Sequence, residues 1–381
     1  MVILWYGLIP MFGALGRRYK WRLLRKRFNE LRLRPILNYR RYWQKEADDP
    51  QSNTFRFVGG FESVTDGQTL WIRSDDLTVP VSLKNASTYL LPMQKNEGTA
   101  EIIDPDDETP EKIKWERVSA LTEGASVFVG GVLANLNGRR SFASTKENPL
   151  IVIFFDGPGA ALPSQVIKAG RHRNDYWNSI TPYSLIVGAL CQILMAVTYL
   201  SRPAYRLTVV VSFIALFIPL YPIIPPGLLF TVLHRRLIWR ARLLRVYADN
   251  ALLPLCYLAG QGDSGIAENC MLPGGEAYGF VRMAELPLPA QEGNIPMLLP
   301  ELAKARAGGD WLVFGSLRDG EELPCQSEDP FATFGILPHE PQKYARRYMT
   351  SSYLLETLAW FVLLAGVALN IFFLSLVLSL L

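Results

Sequence analysis

The chain has 381 residues, of which 49% are hydrophobic, and a formal net charge of +4 at pH 7. This small excess hides a division: residues 17–45 hold twelve Lys or Arg and one acid, a local charge of +11, which leaves −7 for the rest. A uniformly basic protein would suggest a nucleic-acid partner, and this chain is not uniformly basic. A basic block beside an apolar segment predicts anionic lipid headgroups instead.

The chain begins with an apolar segment, residues 1–16, that is short for a membrane crossing. The positive charges follow this segment, whereas a secretory signal peptide carries them before its apolar stretch. We therefore predict an uncleaved first transmembrane segment over residues 1–16.

Residues 17–45 are predicted to form a basic amphipathic juxtamembrane helix at the cytoplasmic membrane surface. Its apolar residues recur at the helical spacings of three and four: Trp21, Leu24, Phe28 and Leu31. Pro35 marks the expected end of the helix. The predicted membrane-surface binding residues are Arg17, Arg18, Lys20, Arg22, Arg25, Lys26 and Arg27. The alternative is a basic stop signal without a binding role.

Residues 51–170 predict a first β-rich soluble module with a barrel- or sandwich-like fold. Short runs of β-branched and aromatic residues alternate there with turn residues. Asp66-Gly67 and Asn137-Gly138 are typical of hairpin turns. Residues 94–114 are acidic and poor in apolar side chains, which predicts an exposed insertion.

Residues 180–233 predict a transmembrane hairpin. Residues 180–200 contain no Asp, Glu, Lys or Arg and are about long enough for one span. Residues 207–233 are longer and contain four prolines: Pro219, Pro222, Pro225 and Pro226. Because proline lacks a backbone N–H, this second helix is expected to be kinked, broken into half-helices, or unwound over residues 221–227.

Residues 246–345 predict a second β-rich module that repeats the order of features in the first. The proposed correspondences pair 278–281 with 55–58, 295–299 with 79–83, 309–315 with 124–130, and 328–330 with 147–149. Their shared order favours a duplication whose unit is a β-rich module followed by a membrane anchor.

The last predicted transmembrane segment is residues 353–381, uncharged from residue 357 onward and long enough as a helix to exceed a hydrocarbon core of roughly 30 Å. Basic residues flank the apolar segments. Because basic residues near span ends favour the cytoplasmic side, we expect an arrangement of spans that places every basic flank there, and one arrangement does so. That arrangement has four spans, both termini outside and both β-rich modules in the cytoplasm. The expected fold class is therefore a multi-pass membrane protein with about four α-helical spans and two small β-rich cytoplasmic modules. In a bacterium this would be the plasma or inner membrane.

The region from Phe55 to about Ile167 resembles the beside-a-membrane (GIDE-type) domain. The closest parts are the polar-Pro-apolar strand at residues 79–83 and the glycine spacing of residues 124–133, set between two apolar segments. That domain is found in mitochondrial and chloroplast outer-membrane ubiquitin ligases and in some prokaryotic membrane proteins. The ligases carry a C-terminal RING, and this chain ends in an apolar segment. The resemblance therefore implies an interaction domain beside a membrane, and it does not carry over an enzyme activity.

No motif predicts a catalytic, cofactor-binding or metal site. The cysteines lack the close pairs of a zinc site: Cys191, Cys256, Cys270 and Cys325. Residues 156–161 follow an apolar strand but lack the Gly-Lys-Ser/Thr ending of a phosphate loop. Glu356 is the ionisable residue closest to the interior of an apolar segment.

The expected function is that of an integral membrane scaffold or interaction protein. Its expected partners are anionic lipid headgroups and proteins at the cytoplasmic face. One alternative is a membrane-bound enzyme or regulatory subunit with a site between the modules, which substitutions at Asp75, Asp76, His339 and Glu340 would test. Another is a transporter or channel component.

Overall fold

The computed structural model describes all residues except 45–52, 67, 75–76, 92–123, 137, 156, 170, 172–175, 177, 223, 260–266, 268, 284–294, 300–309, 319–323 and 381. The predicted acidic insertion and the Asp75-Asp76 pair lie outside the described residues. The chain divides into two compact units. We call residues 1–22, 171–245 and 346–381 the helical unit, and residues 23–170 and 246–345 the β unit.

The helices are α1 (Ile9–Arg32), α2 (Tyr39–Trp43), α3 (Leu162–Lys168), α4 (Thr181–Leu200), α5 (Arg206–Leu216), α6 (Gly227–Leu252), α7 (Leu255–Leu258) and α8 (Pro341–Leu380). A π-helical turn, Ile3–Leu8, leads into α1, which ends three residues before Pro35. The strands are β1 (Thr54–Thr65), β2 (Thr69–Ser74), β3 (Leu77–Ser82), β4 (Ser87–Leu90), β5 (Ser126–Leu136), β6 (Arg139–Ala143), β7 (Ile151–Phe155), β8 (Asn269–Met271), β9 (Ala277–Arg282), β10 (Trp311–Leu317) and β11 (Gly335–Pro338).

Two of the described helices are long and apolar enough to cross a membrane. They are α4 and the part of α8 from Pro341 to Val377. Residues 207–233, expected to supply a further span, do not form one continuous helix. Helix α5 ends at Leu216, a 3₁₀ turn follows at Ile218–Leu220, and α6 begins at Gly227. The prolines explain the interruption, because none of them can donate the backbone hydrogen bond that a continuing helix needs.

Side chains of the helical unit donate hydrogen bonds to carbonyl groups in this break. The Asn370 Nδ2 group on α8 donates to the carbonyl oxygens of Tyr221, at 2.8 Å, and Ile224, at 3.2 Å. The Thr231 hydroxyl donates to Pro222 O at 2.8 Å. A Cβ atom at Gly227 would overlap both Tyr221 O and Asn370 Nδ2, so only glycine fits there. These three carbonyl groups of the break therefore have hydrogen-bond partners, as backbone groups in a membrane require.

Helix α4 buries small and polar residues and exposes large apolar ones. Its buried positions are Thr181, Ser184, Gly188, Gln192 and Ala196. A Cβ atom at Gly188 would lie 2.5 Å from Tyr6 Cε1, so the close approach of the first helix depends on this glycine. Large apolar side chains such as Leu190 and Leu194 are 60% and 67% exposed. This is the reverse of the burial pattern of a water-soluble domain.

The first part of the β unit is a small barrel with additional strands. Its strands follow the order β1-β2-β3-β6-β5, and β5 pairs back with β1, which closes the ring. All these pairings are antiparallel except β3 with β6, which are parallel. Strand β7 extends the sheet from β5, and β4 pairs in parallel with β7. The interior is filled by apolar side chains, including Phe57, Leu70, Val79, Val129 and Phe142. This is a five-stranded barrel of the small type that includes OB folds.

The second part of the β unit is a four-stranded antiparallel sheet in the order β11-β10-β9-β8. In this sheet, segment 278–281 pairs with the strand that includes 311–315. The predicted corresponding segments of the barrel, 55–58 and 124–130, fall largely in strands that pair in the same register. In the barrel Phe55 faces Gly131 and Phe57 faces Val129. In the second sheet Tyr278 faces Ser316 and Phe280 faces Phe314.

One predicted correspondence is wrong. Residues 295–299 were matched to residues 79–83, in β3, but Met297 forms a parallel bridge with Ile336 of β11. In the barrel the equivalent parallel pairing joins Tyr89 of β4 to Ile153 of β7. Met297 therefore pairs as a residue of β4 does, and not as a residue of β3 does. Sequence pattern alone confused the two because short apolar strands resemble one another.

Candidate functional site: basic helix faces

The apolar stripe of α1 is buried in protein, so the prediction that it rests on the membrane surface is wrong. Trp21 is 5% exposed, and Leu24, Phe28 and Leu31 are each 1% exposed. The Phe28 ring packs edge-on against Phe128, with centroids 5.2 Å apart. A Cβ atom at Gly130 would lie 2.7 Å from Leu31 Cδ1, so the helix lies directly on β5. An amphipathic stripe can bury itself on a sheet as readily as on lipid, and its spacing is the same in both cases.

Arg18, Arg25 and Arg27, all among the predicted membrane-surface residues, bind other parts of the protein. Arg18 lies 3.4 Å from a carboxylate oxygen of Glu356. Arg25 donates to Ala169 O at 3.1 Å. Arg27 donates to Pro149 O and to a Glu30 carboxylate oxygen, both at 3.3 Å. These arginines fix α1 to its surroundings.

The remaining predicted membrane-surface residues differ in how far their side chains are exposed to solvent. Lys20, Arg22 and Lys26 are exposed, and Arg17 is partly buried. Lys26 also lies 4.0 Å from Glu30, one turn along the helix. The structure thus leaves Lys20, Arg22 and Lys26 as the most accessible of the predicted set.

A second basic face lies on α6. At the sequence level its basic residues serve only to orient the apolar segments and are not predicted as a binding site. Arg235, Arg236 and Arg240 are exposed around Trp239, whose side chain is 53% exposed. A sequence signal for this face does exist. Residues 22–25 and 242–245 both read Arg-Leu-Leu-Arg, and an aromatic-basic pair precedes each by one residue, Tyr19-Lys20 and Trp239-Arg240.

Glu356, near the start of the long apolar part of α8, joins arginines from two other helices. Its carboxylate pairs with Arg18 of α1 and with Arg245 of α6. Arg245 also donates from Nε to the Ser352 hydroxyl at 2.9 Å, and its guanidinium lies 5.0 Å from the centroid of the Tyr353 ring. This carboxylate therefore acts as a structural link among three helices of the helical unit.

Replacing Glu356 with glutamine is expected to weaken the helical unit by about 1.5–3 kcal/mol, because hydrogen bonds to charged groups contribute about that much. The measurement is the melting temperature of the full-length protein in detergent. The control is Glu340→Gln, because Glu340 pairs with Lys343 at a site where both side chains are more than half exposed. Equal melting temperatures for the two variants would show that the Glu356 link does not contribute to stability.

The β unit contains a buried ion pair between Arg56 and Asp329, whose side chains are 0% and 3% exposed. Arg56 Nη1 donates to Asp329 Oδ1 at 2.8 Å, and a second bond joins Nη2 to Oδ2. The guanidinium also donates to Arg34 O and lies 5.0 Å from the centroid of the Phe331 ring. This bidentate pair connects the barrel to the segment that precedes β11.

A second buried arginine, Arg32, lies in the same unit. Its Nη2 group donates to Leu253 O at 3.0 Å, and its guanidinium lies 5.2 Å from the centroid of the Tyr257 ring. The Tyr257 hydroxyl donates to Phe331 O at 2.9 Å. Burial raises the pKa of Tyr257 to about 12, so this phenol stays neutral at physiological pH. The residues form a packed core cluster in which each ring and guanidinium has a structural contact.

Of the residues considered for enzyme chemistry, His339 and Glu340 lie in the described part of the chain, and Asp75 and Asp76 do not. Among the described residues, no group of three or more His, Cys, Asp or Glu could hold a metal ion. Glu340 pairs with Lys343, and this neighbouring ammonium lowers the pKa of the Glu340 carboxyl. The four cysteines form no disulfide. Comparison with protein-family models, curated proteins and solved structures gives no match.

Proposed function

We propose that this chain is a multi-pass membrane scaffold that displays its β unit at the cytoplasmic membrane face for interaction with other proteins. The observation that carries this proposal is the reversed burial pattern of the helical unit. In water, contiguous exposed Leu, Ile, Val and Phe would be an aggregation hazard, whereas in lipid these side chains face a solvent like themselves. Small and hydrogen-bonding residues at helix contacts are typical of membrane packing.

Helix α8 supports the membrane assignment independently of α4. Its buried positions include Ser352, Ala359 and Asn370, while Phe361 and Leu364 are 67% and 62% exposed. A Cβ atom at Gly366 would lie 2.6 Å from Phe230 Cβ, so α8 and α6 approach each other closely at this glycine. We propose that the apolar start of the chain, α4, the segment from α5 into α6, and α8 together make about four passages.

Charge supports the proposed orientation. The exposed arginines that flank the apolar stretches of α6 and α8 include Arg235, Arg236, Arg346 and Arg347. Arginine and lysine near span ends favour the cytoplasmic side. The second segment of the β unit, residues 246–345, lies between these flanks along the chain, so we place the β unit in the cytoplasm, with both termini outside.

We further propose that the chain arose by duplication of a unit that contains a β-rich module followed by a membrane anchor. The shared Arg-Leu-Leu-Arg sequence and the shared strand register support this proposal. The relation to GIDE-type domains stays a prediction, and the barrel is the part of the chain to which it applies.

Topology reporters test the membrane proposal. Fusions after residues 120, 203 and 330 are expected to report cytoplasm, outside and cytoplasm, with the protein resistant to extraction by alkaline carbonate. A cytoplasmic signal at residue 203 would refute the four-passage arrangement, and release by carbonate would refute integral insertion.

The scaffold role requires a partner that depends on the folded β unit. Cross-linking in cells, followed by purification of the full-length protein, is expected to retain a stoichiometric protein partner. Asp329→Ala, which disrupts the buried ion pair, is expected to lose that partner, while Glu340→Gln is expected to keep it. A partner retained equally by both variants would contradict recognition by the β unit.

The transport alternative receives no support from the break between α5 and α6. The carbonyl groups of Tyr221, Pro222 and Ile224 accept hydrogen bonds from Asn370 and Thr231, so these three groups already have partners within the protein. Single cysteines at positions 222 and 226 are expected to be inaccessible to membrane-impermeant thiol reagents. Rapid labelling from the aqueous phase would favour a transport pathway instead.

A further inference from the structure

We propose that Tyr19-Lys20 on α1 and Trp239-Arg240 on α6 form two corresponding binding sites for the phosphate headgroups of anionic phospholipids. The inference rests on the proposed membrane insertion and adds to it the location, number and chemistry of the lipid sites. It also moves headgroup binding away from Arg18, Arg25 and Arg27, which the protein uses for its own contacts.

The first argument is the matching placement of the two pairs. Tyr19 and Trp239 are 67% and 53% exposed, and the basic residue after each is exposed as well. The next residues, Trp21 and Ala241, are 5% and 2% exposed. The two helices thus present the aromatic-basic pair on the outer side and turn the following position inward.

The second argument is the order of side chains along each exposed face. On α1, Phe12 and Leu15 are 64% and 48% exposed before Tyr19 is reached. On α6, Leu229 and Leu233 are 72% and 45% exposed before Trp239. On α1, the sequence of apolar residues, aromatic ring and cation matches the order of acyl chain, interface and headgroup in a lipid leaflet. On α6, the exposed Arg235 and Arg236 lie between the apolar residues and Trp239, so cations precede as well as follow the ring.

The third argument is electrostatic. Arg22 adds positive charge beside the first pair, and Arg235 and Arg236 add it beside the second. In the described part of the helical unit, Glu356 is the sole carboxylate side chain, and it is already paired with Arg18 and Arg245. No described carboxylate of this unit therefore competes for the exposed cations, and a lipid phosphate fits them. The α6 site should bind more tightly, because arginine holds phosphate with two parallel hydrogen bonds and lysine with a point charge.

The test compares the association of spin-labelled phosphatidylglycerol and phosphatidylcholine with the full-length protein in phosphatidylcholine vesicles. The wild type is expected to prefer phosphatidylglycerol, and the preference is expected to fall as salt is added. Lys20→Gln with Arg240→Gln is expected to reduce the preference about fivefold for each charge removed, the equivalent of about 1 kcal/mol per basic residue near a membrane surface. A second double variant, Lys20→Arg with Arg240→Lys, keeps both positive charges and is expected to show the wild-type preference for phosphatidylglycerol.

The matched control is Arg139→Gln, which removes an exposed cation from β6 and is expected to leave the preference unchanged. Each variant is first shown to melt at the wild-type temperature. An unchanged preference in the Lys20→Gln, Arg240→Gln variant would overturn the proposal. Sodium glycerophosphate competing as strongly as phosphatidylglycerol would overturn it too, because the sites would then bind soluble phosphate esters.

Failure of this proposal is distinguishable from failure of the membrane proposal. A protein that resists carbonate extraction but shows no preference for phosphatidylglycerol would contradict the lipid sites alone. A protein released by carbonate would contradict the membrane assignment on which they rest.

Discussion

Replacing Asp329 with alanine is expected to destabilise the β unit by about 3–5 kcal/mol, because removal of one partner leaves a buried charge uncompensated. Arg56 is fully buried, and its strongest contacts are the two hydrogen bonds to Asp329. Asp329 also accepts a hydrogen bond from the backbone N–H of Phe331 at 3.0 Å. The substitution therefore also removes this hydrogen bond from the turn before β11. A loss of this size is a large share of the total stability of an ordinary domain, about 5–15 kcal/mol.

The measurement is thermal unfolding of the full-length protein in detergent, followed by circular dichroism and by limited proteolysis of the β unit. A double variant, Arg56→Met with Asp329→Leu, is the informative companion. Replacing a buried ion pair by apolar residues of similar volume is often neutral or stabilising, so this variant should recover most of the loss. If Asp329→Ala melts at the wild-type temperature, the buried pair does not hold the two parts of the β unit together.

Replacing Phe28 with alanine is expected to cost about 3–5 kcal/mol, the range for deleting a buried aromatic side chain. Phe28 is 1% exposed and packs edge-on against both Phe128 and Phe331. The cavity left by the missing ring would lie between α1 and the barrel, where the surrounding strands can relax only in part.

The control for this variant is Leu23→Ala on the opposite side of the same helix, where the side chain is 51% exposed. It is expected to shift the melting temperature in detergent far less than Phe28→Ala. If instead Phe28→Ala left the melting temperature unchanged and weakened only membrane association, the stripe would lie in lipid, as its sequence pattern first suggested.

Local sequence pattern was sufficient for the elements. An uncharged run of helix-forming residues predicted α4 and the long apolar part of α8, both confirmed as helices of sufficient length and hydropathy. Runs of β-branched and aromatic residues predicted the strands, and Pro35 predicted the end of α1. These features depend on side chains only a few residues apart, so they can be predicted from the sequence without knowledge of the fold.

The candidate site was only partly predictable. The basic run of α1 was correctly noticed, but spacing could not tell which arginines face solvent and which bind Ala169, Pro149 or Glu356. The basic face on α6 was within reach of the sequence through the shared Arg-Leu-Leu-Arg segment. Its exposure around Trp239 needed coordinates.

The sequence by itself determined that the chain alternates apolar helices with β-rich segments and concentrates its positive charge beside the first apolar segment. Only the tertiary structure decided that the stripe of α1 packs on a barrel, that Asn370 binds the break after α5, and that Arg56 meets Asp329. The last two partners lie 273 residues apart. The physical reason is that an apolar stripe gains by leaving water wherever it is buried, and a buried charge needs a partner wherever the chain can bring one. The sequence pattern shows that a stripe must be buried or a charge paired, and long-range packing determines which residues bury the stripe or pair with the charge.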